Sequence, residues 1–246
     1  MAKQVKTDRQ AVIESIRSQQ KSSERKRGLA IVGVCAVVAV LIIGLAAYRP
    51  IKNAWDLRQF RNVAIDKIGA PASVCTKETT KPATGEQQHI PDGQAIFYPD
   101  APPAFGEHYN TPDPMQRKLY TEGDRPVLGI LVHNLEHGYT ILWYDQTVAD
   151  DDSQMNELRG IADKFSGTSN LRFKFKAVPW LESDGKAFPK DQHIAFTHWS
   201  IGGADKDPGG DSQVGVWQYC SAVSGDALNS FMIKYPYLDS PEPGGA

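Results

Sequence analysis

Gly28-Leu-Ala-Ile-Val-Gly-Val-Cys-Ala-Val-Val-Ala-Val-Leu-Ile-Ile-Gly-Leu-Ala-Ala-Tyr48 decides how the rest of this chain is read. It runs 21 residues without a charge or a proline. At a helical rise of about 1.5 Å per residue it reaches about 30 Å, the thickness of a bilayer hydrocarbon core. A helix buried in a soluble protein would be shorter and would carry a polar stripe. Arg25-Lys26-Arg27 stand at one end and Tyr48-Arg49 at the other, where interface anchors belong. Residues 28–48 are therefore read as a transmembrane helix whose partner is the lipid bilayer. The rival is a cleaved signal peptide, with an apolar run of about 7–15 residues behind a short basic leader. Here the leader alone is 27 residues, which favours a retained anchor.

Working outward, residues 1–27 carry eight Lys/Arg against three acids, a net of +5, and the first twenty residues after the span carry five Lys/Arg. This bias predicts a cytoplasmic N-terminus, a single pass through the cell membrane and an extracytoplasmic C-terminal domain. The whole chain has a formal net charge of −2, which leaves −7 for residues 49–246. That balance argues against nucleic acid as a partner and offers no basic patch for anionic lipid. Of the three cysteines, Cys35 lies inside the span, so Cys75 and Cys220 form an even pair outside it. In a disulfide-permissive compartment they are expected to bond. The alternative is two buried thiols that act as small apolar residues.

The chain divides into a basic tail (1–27), the span (28–48), a juxtamembrane helix or stalk (49–70) and a domain over 71–246. Pro50 suits a helix start, and Leu57, Phe60, Ala64 and Ile68 recur at near-helical spacing, which predicts a helix over 51–68. Residues 76–94 are polar and read as loop, and Ala95–Tyr98 as a short strand. Six prolines between 99 and 126 mark a long loop of the kind that often carries function. Both flanks of His133–Gly138, Val127–Val132 and Tyr139–Tyr144, are β-rich and read as strands. Acids at 150–152 open a helix that Gly167 closes. Leu171–Val178 alternates as a half-buried strand, and 193–199 and 214–220 predict two more, antiparallel to one another. A last helix spans 226–235. This is an α+β domain with a mixed or antiparallel sheet. Its order is loosely thioredoxin-like towards the end, without the Cys-x-x-Cys that carries that fold's redox chemistry.

Chemistry concentrates on histidine. His133-Asn-Leu-Glu-His137 spells the inverted zincin motif His-x-x-Glu-His. On a helix, positions four apart share one face and both imidazoles can reach one ion. On a strand their Cα atoms stand about 13 Å apart. With β-rich flanks and Gly138 following at once, room is expected for one helical turn and not for a long zincin helix. The blander reading has both imidazoles bonded to backbone carbonyls and Glu136 capping a turn. For further ligands the proline-rich loop offers Glu107, His108 and Met115. Histidines with a thioether suit copper, whereas histidines with carboxylate and water suit zinc. Trp199 and Trp217 are expected as core beneath such a site. Asp205–Asp211 resembles a calcium loop but has Val216 where the bidentate Glu is needed, and reads as an exposed turn.

Pro102-Pro-Ala-Phe-Gly-Glu-His-Tyr109, Val132-His-Asn-Leu-Glu-His-Gly-Tyr139 with Ile141-Leu-Trp-Tyr144, and Pro241-Glu-Pro-Gly244 together form a pattern. It resembles an uncharacterised bacterial family abundant in actinobacteria, domain of unknown function 3105, over about residues 90–240. The resemblance implies one N-terminal span, an outer domain, and recurrent histidines at His108, His133 and His137 with Glu136 and Gly138 beside them. Where the family pattern places a cysteine shortly after the first histidine, this chain carries Met115. The resemblance brings no established activity.

Three functions follow as expectations. The first is a membrane-anchored binding module holding copper or zinc through His108, His133, Glu136 and His137, with Met115 as a soft ligand. The second is a structural or assembly partner of an envelope or membrane complex, without catalysis. The third is metal-dependent hydrolysis with Glu136 as general base.

Overall fold

The structure, a computed structural model, describes residues 2–84, 87–207 and 212–245. The side chains of residues 2–11 and of Arg49, one of the two interface anchors expected after the span, lie outside the described set. Two compact units divide the chain, Met1–Trp55 and Asp56–Ala246.

In the first unit, helix α1 (Ala2–Leu57) is one continuous rod. Among the described residues it is the one helix long and apolar enough to cross a membrane, and none of its most apolar window is buried. Leu29, Val40, Ile43 and Leu45 are all exposed. A helix that leaves so apolar a surface uncovered has the composition of one solvated by lipid.

The helix expected over 51–68 stops at Leu57. Residues Arg58–Phe60 and Ile65–Lys67 form single 3-10 turns instead. The chain breaks there because it docks: Ala70 N–H donates to the Val223 carbonyl, and Gly225 N–H to that of Ile68. Tertiary contacts override the near-helical spacing.

The second unit is a five-stranded mixed sheet of β1 (Thr79–Pro82), β4 (Thr140–Tyr144), β5 (Phe175–Pro179), β6 (Ile194–Ser200) and β7 (Val214–Cys220), ordered β1-β7-β6-β4-β5. Strands β4 and β5 are parallel, while β6 runs antiparallel to β4 and to β7. Two short strands, β2 (His89–Ile90) and β3 (His108–Tyr109), pair in parallel and set His89 opposite His108. The loop expected over 76–94 thus holds β1 and β2, whereas Ala95–Tyr98 is irregular.

Alternation along the strands sends side chains into two cores. Leu142, Tyr144, Ile194, Phe196 and Val216 meet α4 (Asp152–Lys164) and α5 (Gly225–Lys234), which contribute Leu158, Ile161, Leu228 and Phe231. Ile141, Trp143, Val178, Ala195 and Trp199 face the other way and meet α2 (Leu128–Glu136) through Leu131, Val132 and Leu135. The short α3 (Gln146–Ala149) precedes α4, which Asp151 caps by accepting from Ser153 and Gln154 N–H. Cys75 and Cys220 are joined in a disulfide. The expected turn at Asp205–Asp211 runs through 208–211, which lie outside the described residues.

Two strand expectations need correction. Val127–Val132 belongs mostly to helix α2, not to a strand. Its Leu-Gly-Ile-Leu-Val run is buried almost all round, so it carries neither a helical stripe nor an alternation. The strand expected over Leu171–Val178 begins only at Phe175: Leu171–Phe173 form a 3-10 turn that Asn170 opens by accepting from Arg172 N–H, and every residue of β5 is buried, with Lys176 at 0 % exposure and Lys174 just before the strand at 1 %. Lys176 is paired with Asp113 and Lys174 with backbone carbonyls, which is how two ammonium groups are accommodated inside.

Candidate metal centre

Helix α2 ends where the histidines begin. His137 is its C-terminal cap, and Gly138 follows at φ +85°, a left-handed conformation that glycine adopts without strain. The Gly138 and Tyr139 N–H groups close the last turn on the Leu135 and Asn134 carbonyls. His133 and His137 therefore lie four apart on helical backbone, with Nε2 atoms 3.0 Å apart. The strand geometry that would have separated them does not occur. A helix C-terminus also carries the negative end of the macrodipole, where a cation is favoured.

The proline-rich loop delivers His108 to the same place. Its Nε2 lies 2.8 Å from Glu136 Oε2. Neither atom has an aligned hydrogen bond, although both are buried. His108 Nδ1 faces the Gly106 carbonyl at 2.8 Å, and His133 Nδ1 faces that of Tyr109. A nitrogen facing a carbonyl must hold the proton, so either ring, when neutral, turns an Nε2 lone pair inward. His89, set opposite His108 by β2 and β3, adds a fourth imidazole, with Nε2 3.5 Å from Glu136 Oε2. The rings crowd edge to face, His89 on His108 at 4.6 Å and His133 on His137 at 4.4 Å between centroids.

Burial opposes charge on His108, but Glu136 and the Gly106 carbonyl outweigh it and raise the ring's pKa. Burial likewise opposes the Glu136 carboxylate, and His108 overcomes it, so the acid is held below its usual range. His133 goes the other way. Burial, with repulsion from His137 and His108, pushes it down to about 4 despite the Tyr109 carbonyl, and it stays neutral at physiological pH.

The donor atoms fit an ion. Two groups, His89/His108/His133 and His133/Glu136/His137, each bring ligand atoms within 4.8 Å of one another. Around an ion with bonds of about 2.0–2.1 Å, adjacent donors stand roughly 3.0–3.4 Å apart. Of the pairs here, His133–His137 at 3.0 Å falls in that range, His108–Glu136 at 2.8 Å is slightly shorter and His89–Glu136 at 3.5 Å slightly longer.

Of the residues singled out in the sequence, His108, His133, Glu136 and His137 come together. Met115 is buried near Asp113 and Pro114, which take the Lys176 ammonium. Trp199 packs edge-on against His108, and Trp217 donates to the Pro102 carbonyl, fastening the loop to the sheet. His89 was not among the ligands expected from the sequence: it is a lone histidine between Gln88 and Ile90, and the two-residue ladder to His108 brings it in.

Fold and site define an α+β domain that carries a histidine–carboxylate cluster at one helix end. A family model described as "Protein of unknown function (DUF3105)" matches residues 89–246, and the chain belongs to that family. No curated protein and no solved structure matches it.

Proposed function

We propose that this protein is a membrane-anchored, extracytoplasmic module that binds a transition metal, copper or zinc, through His108, His133, Glu136 and His137, with His89 alongside. The observation that carries the reading is the His108–Glu136 contact. His108 Nε2, on a ring whose Nδ1 is taken up by the Gly106 carbonyl, faces the Glu136 carboxylate at 2.8 Å, both atoms buried and without an aligned hydrogen bond. A cation between the two groups resolves that opposition. Met115 is a soft donor in the copper case; the nitrogen and oxygen donors form a set without it.

The placement rests on α1 as anchor, on the positive tail ahead of it, and on the Cys75–Cys220 disulfide, which suits an oxidising compartment. The succession of β4, α4, β5, β6, β7 and α5 supports a thioredoxin-like arrangement lacking Cys-x-x-Cys.

Elemental analysis of the full chain in detergent micelles, with His133→Ala and His137→Ala alongside, tests the reading. One equivalent of metal in the parent and its loss from both variants is the expected result. An empty parent after exposure to excess zinc and copper overturns it.

A further inference from the structure

A cavity of about 570 Å³ opens between the C-terminal ends of α4 and α5, the turn Leu171–Phe173 and residues 235–238. Its size is that of a small-molecule site, about 300–1,000 Å³. None of His89, His108, His133, Glu136 and His137 lines it, so it is separate from the candidate metal centre.

Its walls are largely apolar. Ile65, Phe165, Phe173 and Met232 line it, and of these only Phe165 is fully buried. Ile233 and Leu238 line it too, at 72 % and 49 % exposure. Apolar side chains left open around one concavity, rather than scattered singly, mark a binding surface.

The charge along the cavity has one sign. Lys164, Arg172 and Lys174 line it, and no Asp or Glu does. Lys164 donates to the Phe60 and Arg61 carbonyls at 2.6 and 3.0 Å. Lys174 donates to the carbonyls of His137, Pro243 and Gly245. The exposed Arg172 guanidinium has neither a hydrogen bond nor an ion pair among the described residues.

We propose that this cavity binds a long-chain fatty acid, its alkyl chain against Ile65, Phe173 and Met232 and its carboxylate paired with Arg172. Each methylene taken out of water favours binding. The guanidinium fork takes a carboxylate through two parallel N–H···O bonds. Lys174 has spent all three of its N–H donors on carbonyls and Lys164 two. Arg172 therefore meets the head group almost alone, which suits one negative charge better than the two of a phosphate monoester.

The full chain in lipid nanodiscs is exposed to palmitic acid carrying a diazirine on its chain, irradiated, digested and mapped by mass spectrometry. Labels are expected within 165–173 and 232–238, and excess palmitate is expected to remove them where methyl palmitate does not. Arg172→Gln, at an exposed position, is expected to weaken this labelling about tenfold, and Arg172→Lys to recover part of it. Equal competition by methyl palmitate, or unchanged labelling in Arg172→Gln, overturns the pairing of Arg172 with a carboxylate. Stronger competition by hexadecyl phosphate than by palmitate overturns the choice of a fatty acid. A parent chain without label in either segment overturns the proposal outright. A dimer broken by Ile233→Asp would then give the cavity's mouth to a second copy of the chain.

Discussion

The Lys174 ammonium donates to the backbone carbonyl of His137 at 2.8 Å, reaching from the start of β5 to the residue that ends α2. Two further carbonyls, of Pro243 and Gly245, complete its acceptors. Lys174→Met keeps the apolar stem and removes the donor. Three acceptors are then left short, and buried groups without partners cost about 1–3 kcal/mol each before water relieves them. A loss of about 2–4 kcal/mol is expected in urea denaturation of the full chain. An unchanged midpoint would show that these carbonyls do not depend on the lysine.

Lys118 gives the fold a pH dependence. Burial, with repulsion from Lys176, pushes its amine down to about 8 from an ordinary 10.5, while its Nζ donates to the Phe173 carbonyl at 2.7 Å. Between those two values the unfolded chain binds more protons than the folded one, so stability rises with pH across the window. At about 1.4 kcal/mol per unit the gain is at most about 3 kcal/mol. Lys118→Met should lessen the rise between pH 8 and 10.5, leaving the part that Lys174, which burial also pushes down to about 8, contributes. A parent profile without that rise counts against the depressed pKa.

Cys75 and Cys220 close a loop across a sequence separation of 145. For so long a loop the chain-entropy argument gives about 4–5 kcal/mol of stabilisation. Cys75→Ala should lower the melting temperature by well over ten degrees, and reductant should do the same to the parent but nothing to the variant. Equal melting curves for parent and variant would remove the bond from the account of stability.

Gly138 combines a φ of +85° with a closely packed neighbour, since a Cβ there would strike the Tyr237 carbonyl. Gly138→Ala therefore adds backbone strain to a collision with main chain. Soluble yield should fall sharply, and any folded protein recovered should have lost metal. Full yield with parental melting would contradict the packing described here.

Helix α4 was legible because Asp151 caps it and Met155, Leu158 and Ala162 repeat at helical spacing. Strands β6 and β7 were legible from their length and β-branched or aromatic content. Helix α2 was not, because Gly129-Ile-Leu-Val132 is apolar on every side and such a run reads equally as a buried strand. Gly138, read in the sequence only as limiting the room for a helix, is the stop that ends α2 immediately after the second histidine. The site was half visible: His133, Glu136 and His137 share one local motif and His108 sits in a distinctive loop. His89 reaches the cluster only through the long-range backbone pairing of β2 with β3, which no local pattern encodes. The lysines of the β5 region misled for the same reason, since their buried acceptors lie tens of residues away.

Sulfur also sets what a cut chain would do. A protease that clipped an exposed turn such as Glu182–Asp184 would break the polypeptide without parting its ends. The fragment bearing α1 would remain tethered through Cys75 to the fragment bearing α5 and Glu242. Such a nicked molecule would migrate as one band until reduced, with its carboxyl-terminal piece still joined to the piece that carries α1.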